Sequence, residues 1–356
     1  MAESIVVGAG LSGLVAAINL AREGRDVLVL ERESRVGGSP LYHPSPEGTP
    51  VDPAALEAFI GIDISPALHH FEGRAVVSGE VIPTDSEAIR SRLIERGPRS
   101  TSLDSLLYSI AVDEGVKFEF GHAIWSNDDV AKLPPDSIIA TGLYFEGFDA
   151  TRVPYLTSFH FVSRQTIADE SSSHVTIYHD RFTSDYAYTT SLNGILFAHV
   201  FQRRPIGKQT LEAFEEAVFI AEGYEYKAWE HFTFPVPAAS IRNPRLFAGD
   251  KILAGTLAGY MESYMFFGML GALVSGKIAA MAVSDKARAC EEFRLATRSF
   301  AGAYLVKKAT NLVPLPLLLP QLKVALRHAF DYPLVTKTVA EAMPGWHNCQ
   351  RALQGA

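Results

Sequence analysis

Short apolar runs alternate with amphipathic stretches along the first part of the chain, and that rhythm predicts strands followed by helices. Ser4 to Val7 reads as a β-branched strand, an apolar helical stretch follows to about Glu23, and Asp26 to Leu30 reads as a second strand. Between Tyr155 and Val236 the period becomes that of strands. Thr157 to Ser163, Val175 to Asp180, Tyr186 to Leu192 and Ile195 to Phe201 are rich in Thr, Val, Phe and Tyr, and Asn193-Gly194 joins the last two as a hairpin turn. Helical spacing returns from Lys208 to Glu222, and Phe232 to Val236 is a final short strand. The tail from Phe293 reads as helices, interrupted at Leu312 to Pro320 by a proline-broken apolar stretch before Gln321 to Phe330.

The first strand runs directly into Gly8-Ala9-Gly10-Leu11-Ser12-Gly13 and then into the helix. Gly8 permits the tight turn, Gly10 leaves bare backbone against a pyrophosphate, and Gly13 lets helix and sheet pack closely. A phosphate would sit on the helix N-terminus, near Leu11 and Ser12, where unpaired N–H groups favour an anion. The second strand ends in Glu31, eighteen residues beyond Gly13, where a carboxylate accepts bonds from a ribose diol. Strand, glycines, helix, strand and acid at these spacings read as a dinucleotide site.

Glu31-Arg32-Glu33-Ser34-Arg35-Val36-Gly37-Gly38 then resembles the extension that leads toward the flavin in the glutathione-reductase-like FAD proteins. Ser137 to Ala140-Thr141-Gly142 resembles that superfamily's return strand. Leu246-Phe247-Ala248-Gly249-Asp250 resembles its second FAD fingerprint, and the segment from Phe266 through Gly268, Met269 and Leu270 to Gly276 resembles its helix start at the isoalloxazine. The resemblance is closest to the geranylgeranyl reductase and FixC-like branch, through Phe59 to Ser65, Arg99 to Leu107 and Asp185 to Leu196, and covers about residues 1 to 290. It implies FAD as cofactor, contacted by Gly8, Gly10, Leu11, Ser12, Gly13, Glu31, Arg32, Gly37, Gly38, Ser39, Ala140, Thr141, Gly142, Gly249, Asp250, Gly268, Met269 and Leu270.

The implied fold class is α/β. A Rossmann-type three-layer FAD-binding domain (1–75, 99–152 and 240–290) carries an inserted antiparallel β-sheet substrate domain (76–98 and 153–239), followed by a helical C-terminal region (291–356). Ser39-Pro40-Leu41-Tyr42-His43-Pro44 lacks the cysteine that archaeal members of the reductase branch place there, and no second GxGxxG holds a nicotinamide. Electrons would come from NAD(P)H, ferredoxin or another flavoprotein.

Composition narrows the partners. The chain of 356 residues has a net charge of −8, which argues against nucleic acid. Residues 294–356 carry eight Lys and Arg against two acids, so the tail is +6 and the body −14. That tail either docks on an anionic membrane or caps a lipid-binding channel, or it packs over its own FAD domain with its basic residues facing solvent. Two cysteines without a CxxC and the absence of a basic leader before the first strand fit a reducing, cytoplasmic setting, at most peripheral to a membrane. No metal site is expected.

Flavin chemistry needs a stacked substrate, stabilisation of negative charge on the ring and often one proton donor. The start of the helix after Gly268 supplies the second, and His43 or Tyr264 is expected to handle the proton. Tyr42, Tyr186, Tyr188, Glu262 and Phe266 are expected to line the substrate pocket. The leading expectation is reduction, or in reverse desaturation, of a carbon–carbon double bond in an apolar, prenyl-like substrate by hydride transfer at flavin N5. An FAD-dependent monooxygenase and a flavin-bound electron carrier are the alternatives.

Overall fold

The computed structural model describes residues 3–183 and 185–355; Met1 and Ala2, where the expected leaderless start begins, lie outside them. The opening unit is β1 (Ser4–Val7), α1 (Leu11–Arg22) and β2 (Val27–Glu31). There follow β3 (Ser45–Pro50), α2 (Pro53–Ile60), β4 (Glu72–Val77), β5 (Glu80–Thr84), β6 (Ser91–Arg96), α3 (Leu103–Asp113), β7 (Lys117–Phe120), α4 (Asn127–Lys132), β8 (Ile138–Ile139) and α5 (Phe145–Thr151). The middle of the chain holds β9 (Leu156–Thr166), β10 (His174–His179), β11 (Ala187–Leu192), β12 (Ile195–Gln202), α6 (Lys208–Glu222) and β13 (Glu230–Val236). The last part runs through β14 (Phe247–Ala248), β15 (Lys251–Leu253), α7 (Met269–Ser284), α8 (Lys286–Ala296), α9 (Phe300–Thr310), α10 (Leu315–Ala329), α11 (Pro333–Glu341) and α12 (Trp346–Gly355).

A six-stranded sheet, ordered β14-β15-β8-β1-β2-β7, forms the nucleotide layer, and β15, β8, β1, β2 and β7 run parallel. Its apolar strands are buried because α1, α3 and α7 pack around them, α1 against α7 most extensively. A parallel sheet gathers its loops at the carboxyl ends of its strands, which places Gly8, Glu31, Ala140 and Ala254 at one edge.

The second sheet has seven strands, β13-β9-β12-β11-β10-β4-β5. Asn193 (φ 50°) and Gly194 (φ 74°) make the left-handed turn that pairs Leu192 with Ile195, so the hairpin register follows from those two residues. Leu196, Ala198 and Val200 face α6, where Phe214 and Val218 cover them. Phe197 and the aromatics of β13 point the other way, toward Tyr42 of the nucleotide layer. Both sheet faces are buried, which explains why β12 is apolar throughout.

Three expectations change. The segment 76–98 does not belong wholly to this sheet: β4 joins it from Glu72, four residues before the expected boundary, whereas β6 pairs with β3 in a separate two-stranded ribbon. The apolar stretch before Gln321 is already helix, since α10 starts at Leu315, where Pro316 costs no hydrogen bond in the first turn, and it continues through Pro320. Nor does the whole tail lie over the FAD domain with its basic residues in solvent. α12 docks there, against α2 and α8, with Trp346 and Cys349 buried, and Ala340 of α11 and Met343 join the same core. α10 leans on the second sheet through Leu319, Val77 and Ile82, Lys323 and Arg327 pair with Glu80, and Lys307 is buried against Asp185 at 2.7 Å.

Candidate active site

Two helix N-termini meet one cavity. At the first, α1 starts at Gly10 without a side-chain cap, so its leading N–H groups remain available to an anion. Gly8 has φ 103° and sits so close to the Ala140 carbonyl that a Cβ would collide with it, and a Cβ on Gly13 would collide with the Gly8 carbonyl. Gly10 differs, since a Cβ there would meet no protein atom within 4 Å. The glycines at 8 and 13 shape the turn, and the one at 10 keeps a space empty in front of the helix. At the second end, Gly268 opens α7, again with no side-chain cap.

The cavity between them measures about 1210 Å³. Its nucleotide end is walled by Gly8, Gly10, Leu11, Ser12, Glu31, Arg32, Gly38, Ser39, Ala140, Thr141 and Gly142, and its flavin end by Gly268 and Met269. Glu31 accepts the N–H of Ala9 at 2.6 Å and of Glu33 at 2.9 Å, and burial raises its pKa. Arg32 lies over the Tyr144 ring, 4.1 Å from its centroid. The Thr141 hydroxyl is buried beside the cavity without a partner. An elongated dinucleotide fits this donor set: diphosphate before α1, ribose near Glu31, and a ring near α7.

Beyond the nucleotide end the cavity passes the inner face of the second sheet. The Tyr42 and Tyr188 hydroxyls are 2.7 Å apart, Tyr42 Oη is 3.5 Å from His199 Nδ1, and His199 Nε2 is 2.8 Å from His160 Nδ1. All four side chains line the cavity, and the two imidazoles stack with centroids 5.1 Å apart. Burial holds His160 neutral, with its pKa lowered to about 3, lowers that of His199 well below the ordinary value, and raises both tyrosines. Glu47, also on the cavity wall, is raised by burial and accepts from Ser45 Oγ at 3.0 Å.

Beside this chain, Arg96 donates to Asp104 through two bonds of 2.8 and 3.0 Å, and Asp104 also takes the Gly97 N–H. Burial works against the Asp104 carboxylate, but Arg96 outweighs it and lowers the pKa. Asp104→Asn leaves the buried guanidinium without its counter-charge and should cost about 3 kcal/mol of stability. Urea unfolding at neutral pH would measure this, and an unchanged midpoint would remove the pair from the list of stabilising contacts.

Several expected site residues take other roles. Gly249 and Asp250 form the β14–β15 turn away from the cavity, where Asp250 is exposed and paired with Lys251. Gly255 and Thr256, following β15, stand on the cavity wall instead. The strand Ile252-Leu253 followed by Gly255 and a second helix start was the signal for them.

Glu262 turns back onto its own loop and accepts the N–H groups of Tyr264 (2.7 Å) and Met265 (2.5 Å), so it does not line the pocket. Gly37 packs on the Gly97–Pro98 backbone, Gly13 on Gly8, and the Leu270 side chain enters the core. His43 lies on the cavity wall, but burial and the Arg96 cation lower its pKa to about 3, and its Nδ1 is 2.8 Å from Ser45 Oγ. It is not the near-neutral acid the sequence suggests. Tyr42, Tyr186, Tyr188, Tyr264 and Phe266 do line the cavity; the Tyr186 hydroxyl donates to the Met265 carbonyl and Lys307 sits over the Tyr264 ring. His160 and His199, missed in the sequence, come together only through the β9–β12 pairing.

Residues 6–73 match the NAD(P)-binding Rossmann-like domain family. Flavin-containing monooxygenase FMO GS-OX2 of Arabidopsis thaliana is 55% identical over 47 residues, 13% of this chain and 10% of that protein. The putative FMO GS-OX-like 11 of the same plant is 52% identical over 50 residues, 14% of this chain and 30% of that protein, so the chain spans less than a third of these relatives. A geranylgeranyl bacteriochlorophyll reductase-like protein from Thermoplasma acidophilum superposes with a TM-score of 0.69 at 13% identity, over 99% of this chain and 100% of that one. A p-nitrophenol 4-monooxygenase from Pseudomonas putida gives 0.64 at 14%, over 97% and 99%. At such identities the likeness is one of fold. The chain carries a Rossmann-like domain of the FAD-binding type, and its whole fold is like that of these reductase-like and monooxygenase structures.

Proposed function

We propose that this FAD-dependent oxidoreductase reduces, or in reverse forms, a carbon–carbon double bond in a long apolar, prenyl-like molecule. One observation carries the reading: the cavity continues from the flavin end past Phe201, Phe234 and Phe266 to Leu315, Leu318, Leu322 and Phe330 of the tail. Apolar walls of that extent gain most from an extended hydrocarbon. A flavin-bound carrier has no use for such a channel.

Gly10, Glu31, Arg32 and Gly268 would hold FAD, which in its reduced form would supply a hydride to one carbon. The other carbon needs a proton, and the chain's own residues deliver it. Tyr188 Oη donates, Tyr42 Oη restores the proton to Tyr188, and His199 and His160 extend the relay. Because burial keeps the tyrosines protonated and the imidazoles neutral, the relay holds no net charge between turnovers. Lys307 and Tyr264 orient the far end, and the aromatic walls exclude water.

The test uses FAD-loaded protein reduced with dithionite without oxygen, then given geraniol, farnesol or geranylgeraniol, with reoxidation followed by flavin absorbance and the product by mass. Tyr188→Phe should slow reoxidation about 100-fold at unchanged FAD content. Equal rates in both proteins would remove the relay, and failure of every prenyl alcohol to reoxidise the flavin would remove the reading. A monooxygenase is the second reading, favoured by the short matches to flavin-containing monooxygenases. Its signature is oxygen uptake coupled to a hydroxylated product.

A further inference from the structure

The tail leaves an apolar surface with no partner in this chain. Of nineteen exposed large apolar side chains among the described residues, ten lie between Leu305 and Val339, about a tenth of the sequence. Leu312 is 85% exposed, Leu334 75% and Leu317 61%. Single exposed leucines are ordinary, but a concentration of them marks a contact surface. Val313, Val335 and Val339 are exposed here and also line the cavity, so this surface borders an opening of the cavity.

Charge selects the partner. Residues 300–341 hold five Lys and Arg against two acids. Lys307 is buried on Asp185 and Lys323 and Arg327 share Glu80, so the cations this face offers are exposed Lys308 and Lys337, the latter 3.7 Å from Glu341. The chain before residue 294 carries −14, so an anionic surface repels most of this protein and meets its cations on this face. No helix among the described residues is long and apolar enough to cross a membrane. We propose that the face formed by α9, α10 and α11 docks on the surface of a bilayer containing anionic lipid, with the cavity mouth opening into its apolar layer. The docking stands on the surface itself; the entry of substrate from the bilayer rests on the function proposed above.

Flotation of the FAD-loaded full chain tests the docking. Vesicles of phosphatidylcholine alone are compared with vesicles that also contain phosphatidylglycerol, at ~0.1 M and ~1 M salt, where screening lengths are about 10 and 3 Å. Binding should be about tenfold greater with the anionic vesicles at low salt and fall at high salt. Leu312→Glu, Leu317→Glu and Leu334→Glu combined should lower it at least about tenfold, with flavin absorbance and urea midpoint unchanged because all three side chains are exposed. Point substitutions serve better than truncation, since α12 carries buried Trp346 and Cys349.

Failure to float with either vesicle type, or flotation indifferent to the triple substitution, overturns the proposal. So does a concentration-dependent dimer that the triple substitution dissolves, which would assign the face to a second copy. Flotation without any reaction on prenyl alcohols would leave the docking standing and remove the reductase reading.

Discussion

Gly10→Val yields a folded, colourless protein. The backbone at Gly10 has φ −81°, which any residue adopts, and a Cβ there meets no protein atom within 4 Å. The folded chain therefore tolerates the substitution. The added methyl groups instead fill the space before α1 that a diphosphate needs, and they move the anion away from N–H groups that have no other acceptor. Affinity for FAD should fall more than about 100-fold, with the urea midpoint and far-ultraviolet dichroism unchanged. Gly13→Val is the contrasting control: its Cβ would strike the Gly8 carbonyl, so it should lose the fold together with the flavin. A yellow Gly10→Val protein with wild-type affinity would show that the cofactor does not lie across this helix.

The nucleotide end was legible because its signals are local. Gly8 to Gly13 and Glu31 lie within one strand–helix–strand unit, in which Gly13 packs on Gly8 and Gly10 keeps the space before α1 open. The antiparallel strands were legible from their period, and α6 from its spacing and the glycines at both its ends. Asp250 misled because a Gly-Asp after a short apolar run is also how a tight hairpin between β14 and β15 is written. The cavity's chemistry lay further out of reach. His160 and His199 are 39 positions apart and become neighbours through antiparallel register, while Tyr42 reaches them from a loop of the other layer. The tail's part in the cavity wall depends on how α10 leans on β4 and β5, which its own apolar pattern does not encode.

Acidification below about pH 6.5 should destabilise the chain through its buried histidines. His43, His160 and His199 are buried neutral, the first two with pKa values near 3, and His179 is lowered to about 4 by burial and the Lys307 cation. In the unfolded chain each titrates near 6.5. A folded value below the unfolded one means that the unfolded state binds more protons between the two, so stability is complete above about pH 6.5 and drains as pH falls toward the folded values. One pH unit below 6.5 costs about 1.4 kcal/mol per histidine, so the four together remove up to about 5.6 kcal/mol by pH 5.5, a large share of a typical domain's stability.

Three groups oppose this. Burial raises the pKa values of Glu31, Glu47 and Glu262, and they favour the folded state as it takes up their protons. Urea unfolding at pH 7.5, 6.5 and 5.5 should show little change over the first step and a steep loss over the second. His160→Phe, whose ring would stack on Phe232 as the imidazole does at 5.5 Å, should reduce that loss by about a quarter. A midpoint independent of pH across this range would mean that the cavity admits water to these imidazoles, and the uncharged relay would fall with the prediction.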